Sequence, residues 1–117
     1  ALGYVCASSM FQKLIPYCMG KTADISVYKK NRDLLCDALS QYGYSLPSPD
    51  GAFYLFIKAL EDDANKFCEN AKKYELLLVP GDSFGAKGFF RMSYCMPTEK
   101  VQRSLEAFKK LVAAYKK

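Results

Sequence analysis

No histidine occurs anywhere in the 117 residues. The chain by itself therefore cannot build a Ser-His-Asp or Cys-His catalytic pair. A zinc site would have to come from scattered cysteines or carboxylates, without the spacing such sites use. The five cysteines, Cys6, Cys18, Cys36, Cys68 and Cys95, are odd in number, widely spaced and free of any CxxC. That pattern predicts reduced thiols serving as small buried hydrophobes in a cytoplasmic protein, with no metal. No apolar run is long enough to cross a membrane, and no charged-then-apolar leader follows Ala1. Repeats, linkers and low-complexity stretches are missing as well, which predicts one domain over residues 1–117.

Charge of one sign is never concentrated. The net charge is +5, yet the lysines come as separated pairs: Lys29-Lys30, Lys72-Lys73, Lys109-Lys110 and Lys116-Lys117. Each pair falls in a segment that reads as helical, and no block of five or six like charges exists. The pairs therefore read as solvated faces, and no nucleic-acid partner is expected.

What is present is a globular composition, half hydrophobic and one quarter charged. Ser8 and Ser9 suit the start of a first helix running to about Met19, with Met10, Phe11, Leu14, Ile15 and Cys18 as its apolar residues and Pro16 inside it. Asp24 suits the cap of a second helix, whose stripe of Ile25, Tyr28, Leu35, Leu39 and Tyr42 ends at Gly43. Asp50-Gly51 reads as a turn. Phe53 to Ile57 reads as a buried strand. Asp62 or Asp63 caps a short helix to about Tyr74, Leu76 to Val79 is a second strand stopped by Pro80-Gly81, and Phe89 to Tyr94 is a third. Pro97 and Thr98 open a last helix, with Val101, Leu105, Phe108, Val112 and Tyr115 as its buried stripe. The predicted fold is α+β: a small, largely antiparallel sheet with helices packed on one side.

The segment richest in chemical signal is Val79 to Tyr94, VPGDSFGAKGFFRMSY. It delivers Arg91 into an aromatic, apolar strand, where an arginine is costly unless paired. Asp82 or Glu61 could pair with it structurally; a ligand carboxylate would suit the planar guanidinium fork equally well. Chemistry alone leaves both open, with the structural pair the commoner arrangement. The glycines of GAKG lack phosphate-loop spacing and precede a strand instead of a helix. KGFFRMSY partly resembles an RNA-recognition signature, but Phe90 stands where a small residue belongs and Arg91 where a base-stacking aromatic belongs.

Four blocks in order carry a resemblance to class I pyridoxal-phosphate aminotransferases, of the aspartate-aminotransferase-like type. Tyr28 to Leu35 resembles their Y-x-x-x-R-D-x-L segment, and Pro49 to Phe56 their P-x-G-x-F-Y strand. Val79 to Gly85 is similar to their PG-x-x-FG turn, and Phe90 to Tyr94 to the strand carrying their substrate arginine. The resemblance implies that the chain is the C-terminal small domain, without the N-terminal large domain that holds the cofactor. It implies that Arg91 binds the substrate α-carboxylate and that Gly81 and Gly85 shape the turn; Phe53 matches a position near the substrate side, with a plain core role equally open. It makes Arg32 and Asp33 structural, as an ion pair. The implied reaction is amino transfer between an amino acid and a 2-oxo acid in an intact homodimer. Pyridoxal 5′-phosphate would be bound there and not by this chain alone, so the isolated chain is expected to be inactive. Two other readings stand beside this one: a free-standing α/β binding module, weakly RNA-recognition-like, and a domain that kept the fold for assembly and lost the chemistry.

Overall fold

The computed structural model describes residues 7–22, 24–47, 49, 51 and 53–116. Cys6, Asp50 of the expected turn, and Lys117 lie outside them. In chain order the elements are α1 (Ser9–Cys18), α2 (Ser26–Tyr42), β1 (Tyr54–Lys58), α3 (Ala64–Lys72), β2 (Val79–Pro80), a 3-10 turn (Asp82–Phe84), β3 (Phe89–Ser93) and α4 (Thr98–Tyr115). The fold is α+β, as the patterning predicted.

The sheet has the order β1-β3-β2, and both pairings are antiparallel. Leu55 pairs with Met92 and Ile57 with Phe90, and all four are buried. The alternate pairs, Tyr54 with Ser93, Phe56 with Arg91 and Lys58 with Phe89, occupy the other face. A strand's period of two makes that division unavoidable once one face is apolar. The buried face meets α2, α3 and α4, which present residues at helical spacing: Leu35 and Leu39; Phe67, Cys68 and Ala71; Val101, Phe108, Leu111 and Val112. Phe67, Phe90 and Phe108 stack in a row, with Phe67 and Phe90 centroids 5.0 Å apart.

Several local expectations hold for physical reasons. Gly43 closes α2 at φ 96 as expected, whereas Asp24 accepts from Ser26 N at 2.8 Å one residue ahead of the N-cap position, which is Ile25. Asp63 caps α3 by accepting from the Asn65 and Lys66 amides, which also lowers its pKa. Others fail. The expected four-residue strand Leu76–Val79 shrinks to Val79–Pro80. The preceding residues instead close α3, where Leu76 N donates to Ala71 O and Glu75 takes φ 62. Pro80, which has no amide hydrogen, ends the short edge strand. The apolar residues of α1 bury nothing among the described residues, and Ile25 is also exposed. Leu111 joins the core from α4, while Leu105 and Tyr115 are only half-buried. Of the four described thiols, only Cys68 is buried; Cys36 is half-buried, and Cys18 and Cys95 are exposed.

Tyr44 lies edge-on to Phe67, Phe90 and Phe108, and its buried hydroxyl has no hydrogen-bond partner among the described residues. Burial pushes its pKa far above the ordinary tyrosine value of about 10. A raised folded-state pKa gives stability that is complete below pH ~10 and is lost as pH climbs toward the folded value. Tyr44→Phe removes only the unpaired hydroxyl, so stability at pH 7 should stay within about 1 kcal/mol of the parent or rise. Urea unfolding from pH 8 to 11 should show the parent losing stability more steeply than Tyr44→Phe. A large loss at pH 7 in the variant would mean the hydroxyl has a partner after all.

Candidate functional site

Arg91 is the middle residue of β3, which is the central strand. Phe56 faces it from β1 and Val79 from β2. Odd-numbered positions of β3 point away from the helices, so Arg91 sits half-buried on the open face of the sheet. Its guanidinium carbon lies 4.4 Å from the Tyr54 ring centroid and 4.1 Å from that of Phe84. Phe84 in turn packs edge-on against Phe56, with centroids 6.0 Å apart.

Neither expected structural partner meets it. Asp82 accepts from Asn65 Nδ2 at 3.2 Å, and Glu61 accepts from the Tyr115 hydroxyl. Among the described residues no carboxylate pairs with Arg91, and no acceptor takes one of its N–H groups. The ring faces stabilise the charge without engaging its donors. Arg32 behaves in the opposite way. Its Nη2 lies 2.8 Å from Asp33 Oδ1, and its Nη1 donates to Pro49 O at 3.4 Å. The ion pair expected there is present.

The turn that carries Phe84 depends on Gly81. Its amide donates to Phe89 O at 2.7 Å, and its carbonyl accepts from Phe84 N and Ala86 N. A Cβ at Gly81 would lie 2.3 Å from Ala86 O and 2.7 Å from Phe89 O, so glycine is required by close approach. Gly85 is required differently: it takes φ 74 in open space and closes the 3-10 turn.

Phe53 is placed elsewhere. It packs edge-on against Tyr28 of α2 at 5.8 Å and lines a cleft of about 560 Å³ with Lys29, Arg32 and Tyr94. Arg91 is not part of that lining. The structure therefore brings Arg91, Gly81 and Gly85 together and sets Phe53 against the helix layer.

Three residues of this region escaped the sequence reading. Tyr54 was legible in principle, since it alternates with buried Leu55. Phe84 was an aromatic residue stranded in a glycine-bearing turn, a signal for an exposed ring with a task. Asn31 gave no signal. It is fully buried in α2, and its amide nitrogen donates to Tyr94 O at 3.1 Å and Met96 O at 2.7 Å. It ties the exit of the Arg91 strand to the helix layer.

Comparison with known proteins gives these features a family. The model for aminotransferase classes I and II matches residues 19–108. The aspartate aminotransferase of Thermotoga maritima is 34% identical over 83 residues, covering 70% of this chain and 22% of that protein. The crystal structure of an aminotransferase from Eubacterium rectale has a TM-score of 0.92 at 53% identity, covering 99% of this chain and 29% of that one. The aspartate aminotransferase of Thermus thermophilus, solved with maleate, has a TM-score of 0.71 at 31% identity, over 74% of this chain and 23% of that one. The chain spans less than a quarter of the length of the curated relative it matches in Thermotoga. With its four sequence blocks, its antiparallel sheet and these matches, the chain belongs to the class I and II aminotransferase family.

Proposed function

We propose that this chain is the substrate-orienting small domain of a pyridoxal-phosphate-dependent transaminase, with Arg91 holding the α-carboxylate of an amino-acid or 2-oxo-acid substrate. The observation that carries the reading is the Arg91 guanidinium itself. It is held on ring faces at the centre of an open sheet face, with no acceptor for its N–H groups among the described residues. A planar fork in that state suits a carboxylate through two parallel charge-assisted hydrogen bonds. Fixing the carboxylate fixes the α-carbon beside it, which is the positioning that amino transfer needs. The maleate bound by the Thermus thermophilus relative is likewise a carboxylate.

The family uses pyridoxal 5′-phosphate, which supplies the electron sink for the chemistry at the α-carbon. The side chains around Arg91 do not fit that group. Tyr54, Phe56, Val79 and Phe84 offer no amine for its aldehyde, no carboxylate for its ring nitrogen and no cluster of donors for its phosphate. In this reading the cofactor is held by a large domain outside residues 1–117, within a homodimer, and this chain contributes orientation and closure over the substrate. The uncovered apolar residues of α1, Phe11, Leu14 and Ile15 among them, support such a neighbouring domain. Gly81 and Gly85 set the turn that delivers Phe84 to Arg91. Phe53 enters the proposal as a second substrate-side residue only through the neighbouring cleft, where it is half-exposed and turned toward Tyr28 and not toward Arg91.

Two measurements test it. In an enzyme containing this chain, Arg91→Lys should lower kcat/KM by about 100-fold for every amino-acid substrate, because a point charge replaces a bidentate fork. Unchanged values across substrates would remove Arg91 from the site. The purified 117-residue chain with added pyridoxal phosphate should show no transamination, and appreciable turnover would refute the division of labour.

A further inference from the structure

An arginine inside a strand is usually anchored by a carboxylate, which occupies the same N–H edge a ligand would need. Arg91 is anchored otherwise. Tyr54 comes from β1 and Phe84 from the turn between β2 and β3, so two separate elements converge on one guanidinium. Neither ring is placed there by burial in the core: Tyr54 is 45% exposed and Phe84 48%. Phe84 is itself held by Phe56, the cross-strand partner of Arg91, which makes the arrangement a closed set of contacts across the open face. Ring faces attract a guanidinium through its flat side and leave the in-plane donors untouched.

We propose that Tyr54 and Phe84 are the positioning residues of Arg91, clamping the guanidinium plane so that its N–H fork is pre-oriented for a carboxylate. The purpose of the clamp rests on the carboxylate reading above, but the clamp itself is measurable without it. It spares the ligand the cost of ordering a long, flexible side chain. The hydroxyl of Tyr54 takes no part, since the interaction is with the ring.

The test is nuclear magnetic resonance on the ¹⁵N-labelled 117-residue chain, following rotation about the Arg91 Nε–Cζ bond, with exposed Arg103 as internal reference. Rotation at Arg91 should be at least roughly fivefold slower than at Arg103, fivefold being the factor expected from one ring-face contact and Arg91 having two. Tyr54→Phe should keep it slow, while Tyr54→Leu and Phe84→Leu should each bring it toward the Arg103 rate. Amide shifts of Leu55 and Met92 should stay in place, reporting an intact sheet. Sodium acetate should shift the Arg91 Nε–Hε signal, with a dissociation constant roughly fivefold weaker in either leucine variant. Rotation at Arg91 as fast as at Arg103 in the parent, or unaltered in both leucine variants, would overturn the clamp. Slow, ring-dependent rotation with an acetate response no greater than that of Arg103 would uphold the clamp and overturn the carboxylate reading.

Discussion

Gly81→Ala should unfold the Val79–Phe89 turn and cost the chain at least about 3 kcal/mol, the upper range for inserting a methyl group into a site that cannot yield. The added carbon would meet two backbone oxygens, Ala86 O at 2.3 Å and Phe89 O at 2.7 Å, and neither is the end of a flexible side chain. Relief requires moving the turn or β3, and both are tied to Gly81 by its own hydrogen bonds to Phe89 O, Phe84 N and Ala86 N. The midpoint of thermal unfolding should fall by about 10 °C or more. The Phe84 contact on Arg91 should weaken at temperatures where the rest of the chain is still folded. Gly85→Ala is the control four residues along. Nothing lies within 4 Å of where a Cβ at Gly85 would sit, so only the strain of φ 74 is incurred, about 1 kcal/mol. Equal costs for the two substitutions would mean that close approach is not what requires glycine at Gly81.

The second large effect is expected at Asn31→Asp. The substitution hardly alters shape, yet it replaces a donor to Tyr94 O and Met96 O with an acceptor facing two acceptors. The site is fully buried and Asn31 Oδ1 has no hydrogen-bond partner among the described residues, so none of them donates to a negative charge placed there. A buried, uncompensated carboxylate costs about 3–5 kcal/mol at neutral pH. Burial raises the folded-state pKa of the introduced carboxyl above its unfolded value. The sign follows: the deficit is smallest below the unfolded pKa, where the group is neutral in both states, and grows as pH rises toward the folded pKa. Denaturant unfolding at pH 4 and pH 7 should therefore show the variant closer to the parent at the lower pH. A deficit independent of pH would show that the lost donor, not the charge, sets the cost. Because Asn31 ties down the strand exit after Arg91, the same variant should broaden the Arg91 signals in solution.

Much of this architecture was legible in residue order. The aromatic and apolar runs Phe53–Ile57 and Phe89–Tyr94 located two strands to within a residue, though not which side chains face the core, since Phe53 and Tyr54 are exposed; spacing by three and four located the core stripes of α2, α3 and α4. Capping chemistry at Gly43 and Asp63 depends on neighbours within a few residues, so local sequence was enough. The same locality explains the failure at Leu76–Val79. Three leucines and a valine have strand propensity, but a strand needs a partner along its length. Of the five residues between the close of α3 at Glu75 and the turn at Gly81, only Val79 and Pro80 reach pairing distance of β3.

By itself, the sequence determined the α+β class, the order of elements, the family blocks and the singular position of an arginine in an apolar strand. Only the tertiary structure decided what that arginine touches. Asp82 lies two residues farther along the chain from Arg91 than Phe84 does, and Glu61 lies nearer than Tyr54, yet both carboxylates are turned to Asn65 and Tyr115, while the rings converge on Arg91. Likewise, adjacency in sequence placed Phe53 beside Tyr54, but the pleat of the strand sends neighbouring side chains to opposite faces, one toward α2 and the other toward Arg91. Contacts made across a sheet depend on register and on where loops return, and no short stretch of residues encodes either one alone.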